Sequence, residues 1–211
     1  MKVTKLGHSC LLIEEGAARI ITDPGVFTEG FEEVSNISAV LISHEHADHI
    51  NIPFVKGIVL KNSEVKIFSN ESVCKILTEE GIPCSVSGSG ESIKIADVLV
   101  EGFGEVHAEI HPEIPLVKNI GFLVAEKLYF PGDVFLAPKK PVSVLALPIA
   151  APWAKISEVV EFARSVAPKK CFPIHDAILL RPEPFYRTAE KLLREKGVEF
   201  LVPEVGESFE V

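Results

Sequence analysis

At 211 residues, 47% hydrophobic and 24% charged, the chain can bury one sizeable core and is too apolar for a disordered or fibrous protein. Its net charge of −9 opposes binding to nucleic acid backbones and to anionic membrane surfaces, which need a basic face. The longest uncharged stretch, residues 141–154, is short of the roughly 20 residues of a spanning helix and carries Pro141, Pro148 and Pro152, so no membrane protein is expected.

Short β-branched and apolar runs at 3–6, 10–13, 19–22 and 39–42, separated by Gly, Asp-Pro or polar breaks, predict strands. Gly16 predicts a hairpin between the second and third. Asn70, the helical spacing Val73, Ile76 and Leu77, and then Gly81 predict a capped helix over 71–80. Strands are predicted at 93–95, 98–103, 121–124, 128–130 and 142–147. A helix at 157–166, a strand at 170–174, a helix at 183–196 closed by Gly197, and short strands at 200–202 and 208–211 complete the chain. With no linker or low-complexity segment, the order predicts a single α/β domain over 1–211, with mixed sheets and helices outside.

The apolar run at 10–13 follows Lys2 and Lys5 but stops at Glu14 and Glu15, too short for a secretory signal. Cys10, Cys74, Cys84 and Cys171 lack CxxC spacing and sit in apolar contexts, which reads as reduced core thiols in a cytoplasmic protein.

Among the acidic residues 25 are Glu and only five are Asp: Asp23, Asp48, Asp97, Asp133 and Asp176. Directly after the apolar run Val40-Leu41-Ile42, residues 44–49 spell His-Glu-His-Ala-Asp-His. Imidazole nitrogens and carboxylate oxygens suit borderline divalent ions, and a tight turn lets alternate side chains converge. His44 and His46 can address one ion, and Asp48 and His49 a second position close by. Further ligands are expected where other predicted strands end, because binding residues gather on the loops that follow strands. Asp23, His107, Asp133 and His175 lie at such ends. His111, four residues after His107, competes with it as a third ligand, although it belongs to the following loop.

In order along the chain, GHS at 7–9, TDP at 22–24, SHEHADH at 43–49, His107, GD at 132–133 and PIH at 173–175 resemble the metallo-β-lactamase superfamily. The early GHS and late PIH are most similar to the branch of ascorbate-6-phosphate lactonases and related metal-dependent hydrolases. The resemblance implies a four-layer αββα sandwich with two divalent ions, Zn or Mn first among the candidates, at the edge between its sheets. His44, His46 and His107 would hold one ion, Asp48, His49 and His175 the other, and Asp133 would bridge them. Asp23 would support the metal loop from behind. His8 would lie near the metals, as a catalytic group or as a structural histidine.

Such a site implies a hydrolase that uses a metal-held hydroxide on a small-molecule ester, lactone, amide or phosphoester. Asp48 would orient the hydroxide, and His8 and His111 are the candidates to protonate a leaving group. A metal-binding sensor or scaffold of the same fold is the alternative. Val134 and Asp176 depart from the Thr or Ser and the Tyr usual in the lactonase-like pattern, which bears on the substrate pocket. Asp176 would either orient His175 or be a surface carboxylate. The loops 24–36, 111–119 and 150–153 are expected to shape the pocket, with Lys118, Arg181 and Arg187 the nearest cations for an anionic group.

Overall fold

The protein is described from a computed structural model covering residues 1–29 and 34–211. The expected pocket loop 24–36 therefore lies partly outside the described residues.

The elements in chain order are β1 (Lys2–Lys5), β2 (Leu11–Glu15), β3 (Ala18–Thr22), β4 (Ala39–Leu41), α1 (Ile52–Lys61), β5 (Lys66–Ser69), α2 (Glu71–Glu79), β6 (Ser85–Val86), β7 (Ser92–Ile95), β8 (Val98–Phe103), β9 (Gly121–Val124), β10 (Leu128–Phe130), β11 (Val144–Pro148), α3 (Ile156–Val166), β12 (Lys170–Ile174), α4 (Glu183–Arg194), β13 (Glu199–Phe200) and β14 (Ser208–Glu210). They build two seven-stranded mixed sheets, ordered β14-β1-β2-β3-β4-β5-β6 and β13-β12-β11-β10-β9-β8-β7.

The period-two alternation of strands sorts the side chains into three cores. Leu11 and Ile13 of β2, Phe122 and Val124 of β9, and Phe172 and Ile174 of β12 meet between the sheets. Leu12 of β2 and Ile21 of β3 point the other way, onto Val55 and Ile58 of α1 and Val73 and Leu77 of α2. Leu123, Leu145 and Cys171 face outward from the second sheet, onto Val159 and Phe162 of α3 and Ala189 and Leu193 of α4. The result is a helix–sheet–sheet–helix sandwich with four layers, as the resemblance implied. Burying each large apolar side chain in these cores contributes about 1.5–3 kcal/mol, which is what holds the layers together.

The Gly16 hairpin forms, with Glu15 opposite Ala18 and Gly16 at φ 54°. The Asn70 side chain accepts the Ser72 and Val73 amides, as its cap position predicted. Three elements were not anticipated: α1, β5 and the two-residue β6. Helix α1 carries Pro53, Gly57 and four β-branched residues in ten, a composition closer to strand than to helix. Its start is set by the Asn51 cap and an early proline, and its side chains Val55 and Ile58 are buried. Strand β5 continues the parallel pairing of β3 and β4, joined by the α1 crossover.

The expectation of four reduced thiols is corrected by the fold. Cys74 in α2 and Cys84 in the following loop form a disulfide, with Cα atoms 5.1 Å apart. The chain reverses after α2, where the Ile82 amide donates to the Leu77 carbonyl, and this returns Cys84 to the helix surface. A ten-residue spacing across a helix end carries no motif. Cys10 and Cys171 are free and buried, and burial pushes both thiols up to about 12. A thiol reagent should therefore label no cysteine in the native protein, two after denaturation and all four after denaturation with reductant. Four labels without reductant would remove the disulfide.

Candidate metal centre

The loops after β1, β3, β4, β8, β10 and β12 meet at one edge of the sandwich and bring the motif residues together. His44, His46 and His107 form one group, and His8, Asp48, His49 and His175 a second, each with its candidate ligand atoms within 4.8 Å of one another. Asp133 stands between them. Its Oδ2 is 3.4 Å from His107 Nε2 in the first group and 2.9 Å from His175 Nε2 in the second, and its Oδ1 is 3.2 Å from His49 Nε2.

Local structure explains the placement. Gly132 takes φ 63°, and a Cβ there would lie 2.3 Å from Asn119 Oδ1 and 2.7 Å from Ser43 Cβ, so the residue before Asp133 must be glycine. Asn119 then accepts the Asp133 amide at 3.0 Å and donates to the Pro131 carbonyl at 3.0 Å, which fixes the turn. Asp23 and His175 adopt φ 32° and φ 60°, rare for residues with side chains and concentrated at functional sites.

Asp23 is fully buried and supports the metal loop from behind. Its carboxylate accepts the Ser43 amide at 2.7 Å, the Ser43 hydroxyl at 2.5 Å and His49 Nδ1 at 2.5 Å. His44 Nδ1 lies 2.9 Å from Ser43 Oγ, and its Nε2 comes within 3.0 Å of His46 Nδ1. His107 Nδ1 donates to the Ala108 carbonyl at 2.5 Å and His175 Nδ1 to the Ala150 carbonyl at 2.7 Å. Burial holds the His44 imidazole well below its ordinary range, hence neutral. Burial also disfavours a charged Asp133, but His49 and His175 outweigh it and keep the carboxyl well below the usual carboxylate range.

The donor set fits divalent ions. His49 Nε2, His107 Nε2, His175 Nε2 and Asp133 Oδ1 are buried and have no hydrogen-bond partner. Leaving a buried polar atom unpaired costs about 1–3 kcal/mol, so four of them converging on one centre call for a common partner.

His107, not His111, enters the site: His111 is exposed on the next loop, its Nδ1 accepting the Glu113 amide at 3.2 Å. Neither expectation for Asp176 holds. The carboxylate is buried, paired with Lys5 Nζ and accepting the Tyr186 hydroxyl at 2.6 Å, while His175 is oriented by Ala150 instead. Lys118 is paired with Glu71, and Arg181 and Arg187 are exposed. The reading of the sequence put Trp153 only in a pocket loop. In the structure its indole Nε1 donates to Asp133 Oδ2 at 3.0 Å, and its ring meets Phe135 edge-to-face, with Phe135 stacked on Phe162 of α3. Its being the only tryptophan, on a loop after a buried strand, was the one available signal.

Residues 2–175 match the model of the beta-lactamase superfamily domain. The Mycobacterium tuberculosis protein Rv0786c is 41% identical over 184 residues, covering 85% of both chains. The UPF0173 metal-dependent hydrolase of Methanocaldococcus jannaschii is 24% identical, with 99% of this chain and 100% of that one covered. Among solved structures, Igni18, a metallo hydrolase from Ignicoccus hospitalis, superposes with a TM-score of 0.77 at 21% identity, covering 100% of this chain and 98% of the other.

Proposed function

The chain belongs to the beta-lactamase superfamily domain family, and from that premise we propose that it is a dinuclear metal-dependent hydrolase of a small-molecule ester, lactone, amide or phosphoester. The observation that carries this reading is the convergence of buried, unpartnered ring nitrogens on both sides of Asp133. His44, His46 and His107 would hold one ion, and Asp48, His49 and His175 the other, with Asp133 shared. When bound, a divalent pair lowers the pKa of a shared water towards neutrality and polarises the oxygen of the bond to be cleaved.

The chain's own residues do the rest. Ser43 and Asp23 fix the ring planes of His44 and His49, and the Ala108 and Ala150 carbonyls fix those of His107 and His175, so the ligand atoms are aimed before any ion arrives. Asp48 Oδ2 lies 3.3 Å from His8 Nε2 and 3.5 Å from His175 Nε2, where it would orient the attacking water. Phe27, with its ring 5.3 Å from that of His8, and Trp153, 5.9 Å from His107, flank the centre with apolar surface. Zn and Mn suit the nitrogen and carboxylate donors, the lactonase-like motifs favour a cyclic or simple ester, and the whole chain would act as one domain. No described helix is long and apolar enough to cross a membrane.

Elemental analysis after loading with Zn, Mn or Co, followed by a screen of simple esters, lactones and phosphodiesters, tests the reading. Two equivalents of metal and turnover removed by chelation are expected. Metal at a thousandfold excess over its Kd should raise unfolding stability by about 4 kcal/mol. A chain that takes up no divalent ion sinks the proposal. Uptake with no turnover on any class leaves a sensor or scaffold in its place.

A further inference from the structure

His8 is only 1% exposed, and its Nε2 is buried in the second group without a hydrogen-bond partner, as in His49, His107 and His175. Position alone would make it a fourth ligand of that ion. Its other nitrogen argues otherwise.

A neutral imidazole carries one proton, and the nitrogen that binds a metal is the one without it. The proton's place can be read from what faces Nδ1. In His49, His107 and His175 an acceptor faces it: the Asp23 carboxylate, the Ala108 carbonyl and the Ala150 carbonyl. In His44 it faces Ser43 Oγ, whose own proton goes to Asp23, so that oxygen also accepts. With an ion bound, each of these four rings would keep its proton on Nδ1 and present the lone pair of Nε2. His8 is the reverse. Its Nδ1 accepts the backbone N–H of Ala177 at 3.2 Å, and a backbone amide cannot exchange its role. The His8 carbonyl accepts the His175 amide at 2.8 Å, so two bonds from the loop after β12 hold the ring in this sense.

The geometry points to His8 as a fixed hydrogen-bond donor, not a ligand: its Nε2–H faces the space beside Asp48 and His175 and would bind the substrate oxygen on which negative charge develops. Asp48 Oδ2 lies 3.3 Å away and is not hydrogen-bonded to it, which leaves the N–H for that oxygen. The proton stays on His8, since losing it would leave an imidazolate. His8 therefore stabilises charge and is not the acid for a leaving group. This inference rests on the hydrolase reading for its substrate, but its tautomer does not.

Ring 15N–1H correlation spectra of the zinc-loaded protein decide the tautomer. His8 should be protonated on Nε2, and His107 and His175 on Nδ1; a His8 proton on Nδ1 overturns the inference. His8→Leu should keep the wild-type zinc content and lose about 10²–10³-fold in kcat on p-nitrophenyl acetate, the usual cost of one oxyanion donor. His8→Gln, which restores an N–H, should recover part of that loss. Loss of one zinc equivalent in His8→Leu, kcat within threefold of wild type, or equal rates for Leu and Gln would each overturn it. Wild-type protein that takes up none of Zn, Mn or Co instead sinks the hydrolase reading, and the tautomer is then decided on the metal-free chain.

Discussion

Asp133→Ala should abolish hydrolysis, with kcat down at least roughly 10³-fold, equivalent to about 4 kcal/mol of transition-state stabilisation, while the fold persists. Among the described residues no other carboxylate has an oxygen between the two groups: Asp133 Oδ2 lies within 3.4 Å of both His107 Nε2 and His175 Nε2. Its loss separates two sites that a shared anion would bind together, and it takes a negative charge from a pocket crowded with imidazoles. Changing residues that merely orient ligands costs 10–100-fold in metal affinity, so losing the bridge should weaken the second ion by more than that. The fold should survive, because the direct structural loss is the acceptor for Trp153, about 1–3 kcal/mol against a typical stability of 5–15 kcal/mol. His46→Ala should give the same loss of turnover with even less effect on stability, since His46 is only partly buried and packs on other site residues. Elemental analysis, denaturant melts and rates on the best substrate check both variants. An Asp133→Ala protein that keeps two ions and turnover within tenfold of wild type would refute the bridging role.

The strand ends that carry the site were legible because each couples a short apolar run to a residue type scarce in this chain. With five aspartates in all, Asp23, Asp48 and Asp133 stood out, and SHEHADH concentrates three histidines in a single turn. The layers were legible for the related reason that alternation in β2 or β12 already divides inward from outward residues. What stayed hidden depends on contacts between distant segments. The Cys74–Cys84 pairing needs the reversal after α2. The bond from Trp153 to Asp133 needs the loop after β11 to reach across to the loop after β10. Helix α1 was masked because Pro53, Gly57 and its β-branched residues oppose a helix in isolation, and burial of Val55 and Ile58 against the first sheet overrides that local preference. The tautomers of the site histidines are likewise set by carbonyls and amides whose positions no motif encodes.

Asp176→Ala should cost about 3–5 kcal/mol of stability, although Asp176 is neither a ligand nor an exposed residue. Lys5 comes from β1 and Asp176 from the loop after β12, so their pair ties the first sheet to the second directly behind His8 and His175. Their side chains are 4% and 8% exposed. Removing the carboxylate leaves the Lys5 ammonium buried with no counter-charge and takes the acceptor from the Tyr186 hydroxyl. The energy lies in that stranded charge more than in the attraction it replaces, and a double variant shows the difference. Lys5→Met with Asp176→Leu removes both charges at similar volume and should be more stable than Asp176→Ala alone, because replacing a buried ion pair by apolar residues is often neutral. The consequence should extend to the metal centre. Asp176 follows His175, whose backbone sits at φ 60°, and its carbonyl accepts the Leu179 amide, so loosening this turn should weaken the second ion and spare the first. Urea melts of the metal-free single and double variants, with zinc titrations of each, measure both effects. A cost below about 1 kcal/mol for Asp176→Ala would mean that water reaches Lys5 and that the two sheets are joined at this edge by packing alone.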